Sequence, residues 1–256
     1  MDPIQQVAAM IAAAQHVVVL SGAGISAESG LPTFRGAGGL WRGMNPMSLA
    51  TPEAFARDAQ LVWEFYNWRR KLLREAQPNP AHSALVELAA IVSRFTLITQ
   101  NVDRLHHRAG SREVIELHGN LEDVLCTSCR RSQNRANEDL PPLPTCDDCG
   151  ALLRPAVVWF GEALPPAAWI AAERAADHSD LFLVVGTSAV VYPAAGLIGM
   201  AKKAGANVIE VNLEQTDQST AADVGLYGPA GEILPKLVAR CAHLIGPGNV
   251  AGDVPD

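Results

Sequence analysis

Apolar residues gather in short, dense runs separated by longer stretches of mixed character. Val17-Val18-Val19-Leu20, Phe95 to Thr99, Val114 to Leu117, Leu181 to Val185 and Val208 to Val211 are β-branched or bulky and carry at most one charge each. Continuous runs of this kind predict strands buried on both faces, as in parallel sheets. Between them the apolar positions recur at helical spacing. Ile4 to Ala14, Gln60 to Glu75, Ala81 to Val92, Pro166 to Ala176, Pro193 to Ala204 and Ala230 to Ala242 read as helices. Thr51-Pro52-Glu53 reads as a helix start, with Thr capping, Pro in the first turn and an acid at the positive dipole end. The alternation predicts an α/β chain with a parallel, doubly wound sheet and a helical insert between its first two strands. From Gly246 onward the chain is rich in Pro and Gly, and fraying is expected there.

The residues just after each strand carry the chemistry. The first strand runs into Ser21-Gly22-Ala23-Gly24 and a helix-competent Ile25-Ser26-Ala27-Glu28. Glycines allow close backbone approach, and amides at a helix start face an anion. Gly22-x-Gly24-x-x-Ala27 fits the dinucleotide fingerprint with Ala in its third place, and on its own it fits a plain tight turn equally well. The usual second strand, with its acid about 20 residues on, is missing. A Gly- and Pro-rich stretch from Leu31 to Gly39 stands there instead. A long loop beside a phosphate site is more often functional than filler. In it Arg35 could reach a phosphate and Phe34 could cover a reactive carbon; a solvated surface loop is the alternative. The other strands deliver Gln100-Asn101-Val102-Asp103, His118-Gly119-Asn120, Gly186-Thr187-Ser188 and Asn212-Leu213-Glu214. Ligands of open α/β sheets bind off these strand ends.

At 256 residues the chain suits one large domain, or one with a small insert. A net charge of -7 gives no general attraction to nucleic acid. The apolar stretch from Val7 to Leu20 is broken by Gln15 and His16 and has no basic run before it, so neither a membrane span nor a signal peptide is expected. Four of the five cysteines form Cys126-x-x-Cys129 and Cys146-x-x-Cys149, separated by residues 130–145. That is zinc spacing in a reducing compartment, here taken as the cytoplasm. An all-cysteine site is closed and structural. The intervening segment holds Arg130, Arg131, Arg135 and three prolines, with little apolar material to build a core. Metal binding would hold it, supplying on the order of 10 kcal/mol or more. A redox pair does not suit two pairs at this spacing, and a nucleic-acid ribbon would want the stacking aromatics that Leu125 to Gly150 lacks. Cys241, on an apolar helix, reads as packing.

Read in order, Gly22-Ala23-Gly24-Ile25-Ser26, Gln100-Asn101-Val102-Asp103, His118-Gly119, the four cysteines, Val158-Trp159-Phe160-Gly161-Glu162, Gly186-Thr187-Ser188, Val191-Tyr192-Pro193-Ala194-Ala195 and Asn212-Leu213-Glu214 resemble the sirtuins, the NAD-dependent protein lysine deacylases. The resemblance runs from about Ala9 to Val238. It implies a single catalytic domain over residues 1–256, with a large Rossmann-like part (about 1–32, 80–122 and 155–245) and a small part made of a helical insert (33–79) and a zinc ribbon (123–154). It implies cleavage of the nicotinamide–ribose bond of NAD and transfer of the ribose carbon to the acyl oxygen of a modified lysine. A neutral histidine is the base for a ribose hydroxyl. His118 matches it, and an imidazole of unperturbed pKa about 6.5 suits that work. His16, His82, His106, His107, His178 and His243 lie in helical or linking segments and read as structural.

The remaining roles are implied by the same resemblance. Asn101, counted with His118 as catalytic, and Asp103 match residues that hold the nicotinamide ribose and carboxamide. Gln100 matches a ribose contact. Ala23, Gly24 and Arg35 match the phosphate loop. Thr187 and Ser188 match phosphate or ribose contacts, Asn212 and Glu214 the adenosine ribose, and Ala230 an adenine-side backbone contact. Gly22, Ile25, Glu28, Thr33, Phe34, Trp41, Val102, Gly186 and Leu213 complete the implied cofactor set. Co-substrate NAD and one structural Zn2+ are the expected cofactors.

Tyr66 and Arg69 share a helical face at i and i+3 and could bind a carboxylate together, Arg as a fork and Tyr as one donor. Packing of Tyr66 and solvation of Arg69 is the plainer reading. The pair resembles that of the sirtuin class removing succinyl and malonyl groups. Ala50 matches the small residue that widens its acyl pocket, and Thr33 fits the same class. Val158, Phe160 and Gly161 are expected to touch an acyl-lysine peptide laid as an added strand between Val158–Glu162 and Val191–Tyr192. The expected enzyme is a monomer that removes succinyl, malonyl and acetyl groups from lysines of proteins or peptides. ADP-ribosyl transfer from NAD would use the same cradle and base. A binding module without turnover would not need His118, Asn101 and Asp103 together.

Overall fold

The computed structural model describes residues 2–33, 44–217 and 219–246. Helix α1 (Pro3–Ala13) starts on the Asp2 side chain, which accepts the Ile4 amide, and leads into β1 (Val17–Ser21). A 3-10 turn comes next, over Ala23–Ser29. The helical insert is α2 (Pro52–Arg57), α3 (Ala59–Glu75) and α4 (Pro80–Ile91), and it leads to β2 (Phe95–Thr99). Then come α5 (Leu105–Ala109), β3 (Val114–Glu116), β4 (Gly119–Cys126), β5 (Ser132–Asn134) and β6 (Leu153–Val157). The chain continues through α6 (Pro166–Asp177), β7 (Leu181–Val185), α7 (Gly196–Lys203), β8 (Asn207–Asn212), β9 (Val224–Tyr227) and α8 (Ala230–Ile245).

The main sheet has the order β3-β2-β1-β7-β8-β9, and every neighbouring pair is parallel. This is the expected doubly wound, Rossmann-like sheet. β1 and β7 are buried along their whole length, which accounts for their uninterrupted apolar runs. One core joins Val17, Val19, Leu97, Leu183 and Ile209 to α1, α4 and α8. A second joins Val18, Leu20, Ile98, Phe182 and Val208 to α6 and α7. The strand order reverses between β2 and β7 about β1, so a crevice opens at the C-terminal ends there.

The third core lies off the main sheet. Leu49, Val62, Trp63, Phe65 and Tyr66 from the helical insert pack on Leu121, Val124, Leu153 and Trp159. The antiparallel sheet β5-β4-β6 supports it, and the Trp63 indole donates to the Leu153 carbonyl at 2.9 Å. Besides α5 and the small sheet, which the apolar pattern does not predict, three features differ from the expected elements. β9 extends the sheet beyond β8; it is four residues long and contains Gly225, too little for an apolar run. The segment after the first glycine turn is 3-10 rather than α. Helix α7 begins at Gly196, three residues after the expected Pro193. Among the described residues, no helix is long and apolar enough to cross a membrane.

Candidate active site and metal centre

Two backbone turns interlock at the crevice. The Gly22 amide donates to the Val185 carbonyl at 3.0 Å, and the Gly24 amide donates to the Gly186 carbonyl at 2.7 Å. A Cβ on Gly24 would stand 2.7 Å from the Gly186 carbonyl oxygen, and one on Gly22 would stand 2.5 Å from the Thr187 Cβ. Gly186 has φ +58, and a Cβ there would meet the Ile25 nitrogen at 2.3 Å. Glycine at all three places is therefore a steric requirement of joining the end of β1 to the end of β7. Ala23 is half-buried between them, while Ile25 is in the core.

A polar network connects the strand ends. Ser26 Oγ donates to Asp103 Oδ2 at 2.7 Å and accepts from Asn101 Nδ2 at 3.2 Å; the same amide group donates to the Gly22 carbonyl at 3.1 Å. Asp103 Oδ1 accepts the Leu105 amide at 3.0 Å, fixing the carboxylate at the start of α5. Gln100 Nε2 donates to Thr187 Oγ1 at 3.1 Å, and Asn212 Nδ2 donates to the Thr187 carbonyl at 3.0 Å. Gly22, Gln100, Asn101, Asp103, Thr187 and Asn212 are thus gathered at one edge of the sheet. Ser188 and Thr33 are half-buried, and Val102 packs on the third core. Leu213 and Glu214 are exposed just beyond β8. Glu28 stands apart: its carboxylate accepts the Gly231 amide at 2.8 Å, tying the turn to the first residues of α8 beside buried Ala230. Phe34, Arg35 and Trp41 lie outside the described residues.

His118 is half-buried after β3, and its Nδ1 lies 2.8 Å from the Gln100 carbonyl. A carbonyl only accepts, so Nδ1 carries the proton and Nε2 presents a lone pair. Burial pulls the His118 pKa below its ordinary value, against the opposing pull of the Gln100 carbonyl. The ring is uncharged at neutral pH and Nε2 can take a proton.

His82 and His106, read from sequence as structural, buttress this network. His82 Nδ1 accepts the Asn79 amide at 3.3 Å, which leaves Nε2–H facing Ser26 Oγ at 3.4 Å. The His106 ring lies 4.9 Å from that of His82, and its Nε2 is 2.9 Å from Ser21 Oγ, which donates to Thr99 Oγ1. Burial lowers the pKa of both, that of His106 to about 3. The helices α4 and α5 hide this from sequence, because they carry the two rings to the site from the side rather than from a strand end. Ser26 belongs to the glycine motif, but its role in joining Asn101 to Asp103 has no signal in the chain. His16 does stay structural, bonded to the His178 carbonyl and Thr96 Oγ1 at the other end of the sheet.

The acyl-recognition candidates sit on α3. Tyr66 is fully buried, and its hydroxyl accepts the Trp159 indole N–H at 2.9 Å. Burial pushes its pKa up to about 12, with Arg69 opposing, so the phenol keeps its proton as a donor. Arg69 is half-buried with its guanidinium 5.8 Å from the Phe65 ring, not a solvated surface charge. Burial lowers its pKa, and the field of Tyr66 and Asp103 opposes this. Segment 158–162 ties the base to the helical insert: the Val158 amide donates to the His118 carbonyl, and the Phe160 amide donates to the carbonyl of buried Ala50, both at 2.9 Å. Phe160 and Gly161 are exposed beside it.

The four cysteine sulfurs of Cys126, Cys129, Cys146 and Cys149 all lie within 4.8 Å of one another. A tetrahedron with bonds of about 2.3 Å to sulfur has edges of about 3.8 Å, so the donor set fits Zn2+. The Ser128 and Cys129 amides both point at Cys126 Sγ at 3.4 Å, which suits a thiolate. The turn after each pair enters the left-handed region, with φ 60 at Arg130 and 72 at Gly150.

A parallel sheet with a glycine-lined crevice, a neutral imidazole beside it and an appended four-cysteine module define a dinucleotide-binding α/β protein with a structural metal site. The model of the Sir2 family matches residues 22–193. NAD-dependent protein deacylase 2 of Pyrobaculum aerophilum is 54% identical over 234 residues, covering 91% of this chain and 93% of that protein. A mutant Sir2 homologue solved with 2'-O-acetyl ADP ribose has a TM-score of 0.92 at 48% identity, covering 97% of this chain and 100% of that one. A Sir2 homologue–NAD complex has a TM-score of 0.90 at 48% identity, covering 94% and 95%. The chain belongs to the Sir2 family.

Proposed function

We propose that the protein is an NAD-dependent protein lysine deacylase that removes succinyl and malonyl groups, and also acetyl groups, giving nicotinamide, O-acyl-ADP-ribose and free lysine. The observation that carries the deacylase reading is the hydrogen bond from His118 Nδ1 to the Gln100 carbonyl, which leaves Nε2 unprotonated beside the residues gathered at the strand ends. The similar deacylase and the NAD and acetyl-ADP-ribose complexes of Sir2 homologues support the reaction class. NAD, when bound, supplies an electrophilic ribose carbon as its nicotinamide leaves. The chain's own groups do the rest. The turns at Gly22–Gly24 and Gly186–Ser188 receive the phosphates, and Asn212 with Glu214 takes the adenosine ribose. The Asn101–Ser26–Asp103 network holds the nicotinamide end. His118 Nε2 accepts the hydroxyl proton. Substrate sits between the large part (1–32, 80–122, 155–245) and the small part (33–79, 123–154), as a strand laid along Val158–Gly161. The zinc is structural. On this reading the enzyme works as a monomer in the cytoplasm without a membrane, and its charge of -7 gives no general attraction to nucleic acid.

Arg69 and Tyr66 read the acyl carboxylate. Their helical spacing, their burial and the donor state of the phenol support this. Rates with succinyl-, malonyl- and acetyl-lysine peptides test it. Arg69→Met is expected to lower kcat/KM for the succinyl peptide by about 10- to 100-fold, the worth of a charged hydrogen-bonded pair. The acetyl value should change little. Equal losses on both peptides would remove the carboxylate reading and leave plain deacetylation.

A further inference from the structure

Trp159 is held on every side by named contacts. It is 3% exposed. Its own amide donates to Glu162 Oε2 at 2.8 Å, and the Arg154 guanidinium lies 3.5 Å from its ring centroid. Arg154 is itself fixed, with one nitrogen donating to Glu162 Oε2 at 2.8 Å and to the Val157 carbonyl at 3.0 Å. Phe55 closes another side at 5.1 Å between centroids. The indole N–H has one destination, Tyr66 Oη at 2.9 Å.

We propose that Trp159 is a specificity-determining positioning residue: by filling one acceptor site of the Tyr66 hydroxyl, it turns the phenol's hydrogen toward an acyl carboxylate held at Arg69. A phenolic hydrogen can rotate to suit its partners, and oxygen offers both donor and acceptor directions. With the indole N–H on one side, the hydrogen must point to another. Accepting that bond also polarises the O–H and strengthens what it donates. Without the indole N–H, the hydroxyl is free to turn a lone pair toward the carboxylate, which repels it. An acyl group without a carboxylate makes no use of this hydrogen, so the effect is selective. The proposal rests on the carboxylate reading of the Tyr66–Arg69 pair.

The test replaces the N–H and keeps the ring. Trp159→benzothienylalanine puts sulfur in place of the indole nitrogen, and Trp159→Phe is the genetically simpler variant. Each is made in the wild-type and Tyr66→Phe backgrounds, and kcat and KM are measured with succinyl and acetyl peptides. The succinyl-to-acetyl ratio of kcat/KM is expected to fall about 2- to 10-fold, mainly through KM, the worth of one oriented hydrogen bond. In the Tyr66→Phe background the same replacement should leave the ratio where Tyr66→Phe put it. A ratio unchanged by benzothienylalanine, or one that falls equally in both backgrounds, overturns the proposal. The isosteric variant decides if Trp159→Phe fails to fold. Arg69→Met, run alongside, separates the failures. If it is selective and the Trp159 variants are not, only the role of Trp159 falls; if it is not selective, the carboxylate reading itself falls.

Discussion

One hydrogen bond decides what His118 can do. Because the Gln100 carbonyl takes the Nδ1 proton, Nε2 is the basic atom, and burial keeps it unprotonated. The kcat/KM profile should therefore be flat near neutral pH and fall on the acid side with a midpoint below about 6.5, as protonation removes the lone pair. A midpoint above that value would mean that a nearby charge, not burial, governs the ring. His118→Ala should cut deacylation by about 100-fold or more. His118, Asn101, Asp103 and the cysteines could be found in sequence because each follows an apolar run or keeps a fixed spacing. Ser26, His82 and Trp159 could not, since their meaning lies in distant partners. Trp159 and Tyr66 are 93 positions apart in the chain. Arg154 and Glu162 flank Trp159 closely, but nothing in their spacing says that they clamp an indole.

Elements join through contacts that leave no room for side chains. Gly24→Ala would push a Cβ to within 2.7 Å of the Gly186 carbonyl oxygen, and backbone cannot yield as a flexible side chain does. Titration with ADP-ribose should show at least about tenfold weaker binding, with a stability loss of about 1–3 kcal/mol by thermal unfolding. Binding unchanged in that variant would mean that the two turns do not form the cradle. The parallel strands were legible because burial on both faces writes an unbroken apolar run. The small sheet was not: β4 and β5 mix polar and apolar residues, and β4 meets β6 beside the metal, with Cys126 opposite Leu153. Its buried residues join the third core, and the zinc ties its far end together. One zinc per chain should be released by a strong chelator. Tryptophan emission should then shift to the red as Trp63 and Trp159 lose their packing; emission that stays blue after complete zinc removal would contradict this.

At the scale of the molecule, His118 ties the main sheet to the segment that follows β6. Its ring is bonded to the end of β2 through Gln100, and its carbonyl holds Val158 at the start of the segment that reaches Ala50 and Tyr66. Arg69 lies in the field of both Tyr66 and Asp103, so under the proposed function the acyl pair and the nicotinamide end are electrostatically coupled. The doubly wound sheet and the metal module were readable along the chain, but this junction was not, because it consists of pairings between segments far apart in sequence. The most direct measurement is mass spectrometry of one mixture: the protein, NAD and a succinyl-lysine peptide. The account predicts free lysine on the peptide with equal amounts of nicotinamide and succinyl-ADP-ribose, all abolished by His118→Ala. A peptide or enzyme made heavier by ADP-ribose, with the succinyl group still in place, would contradict it.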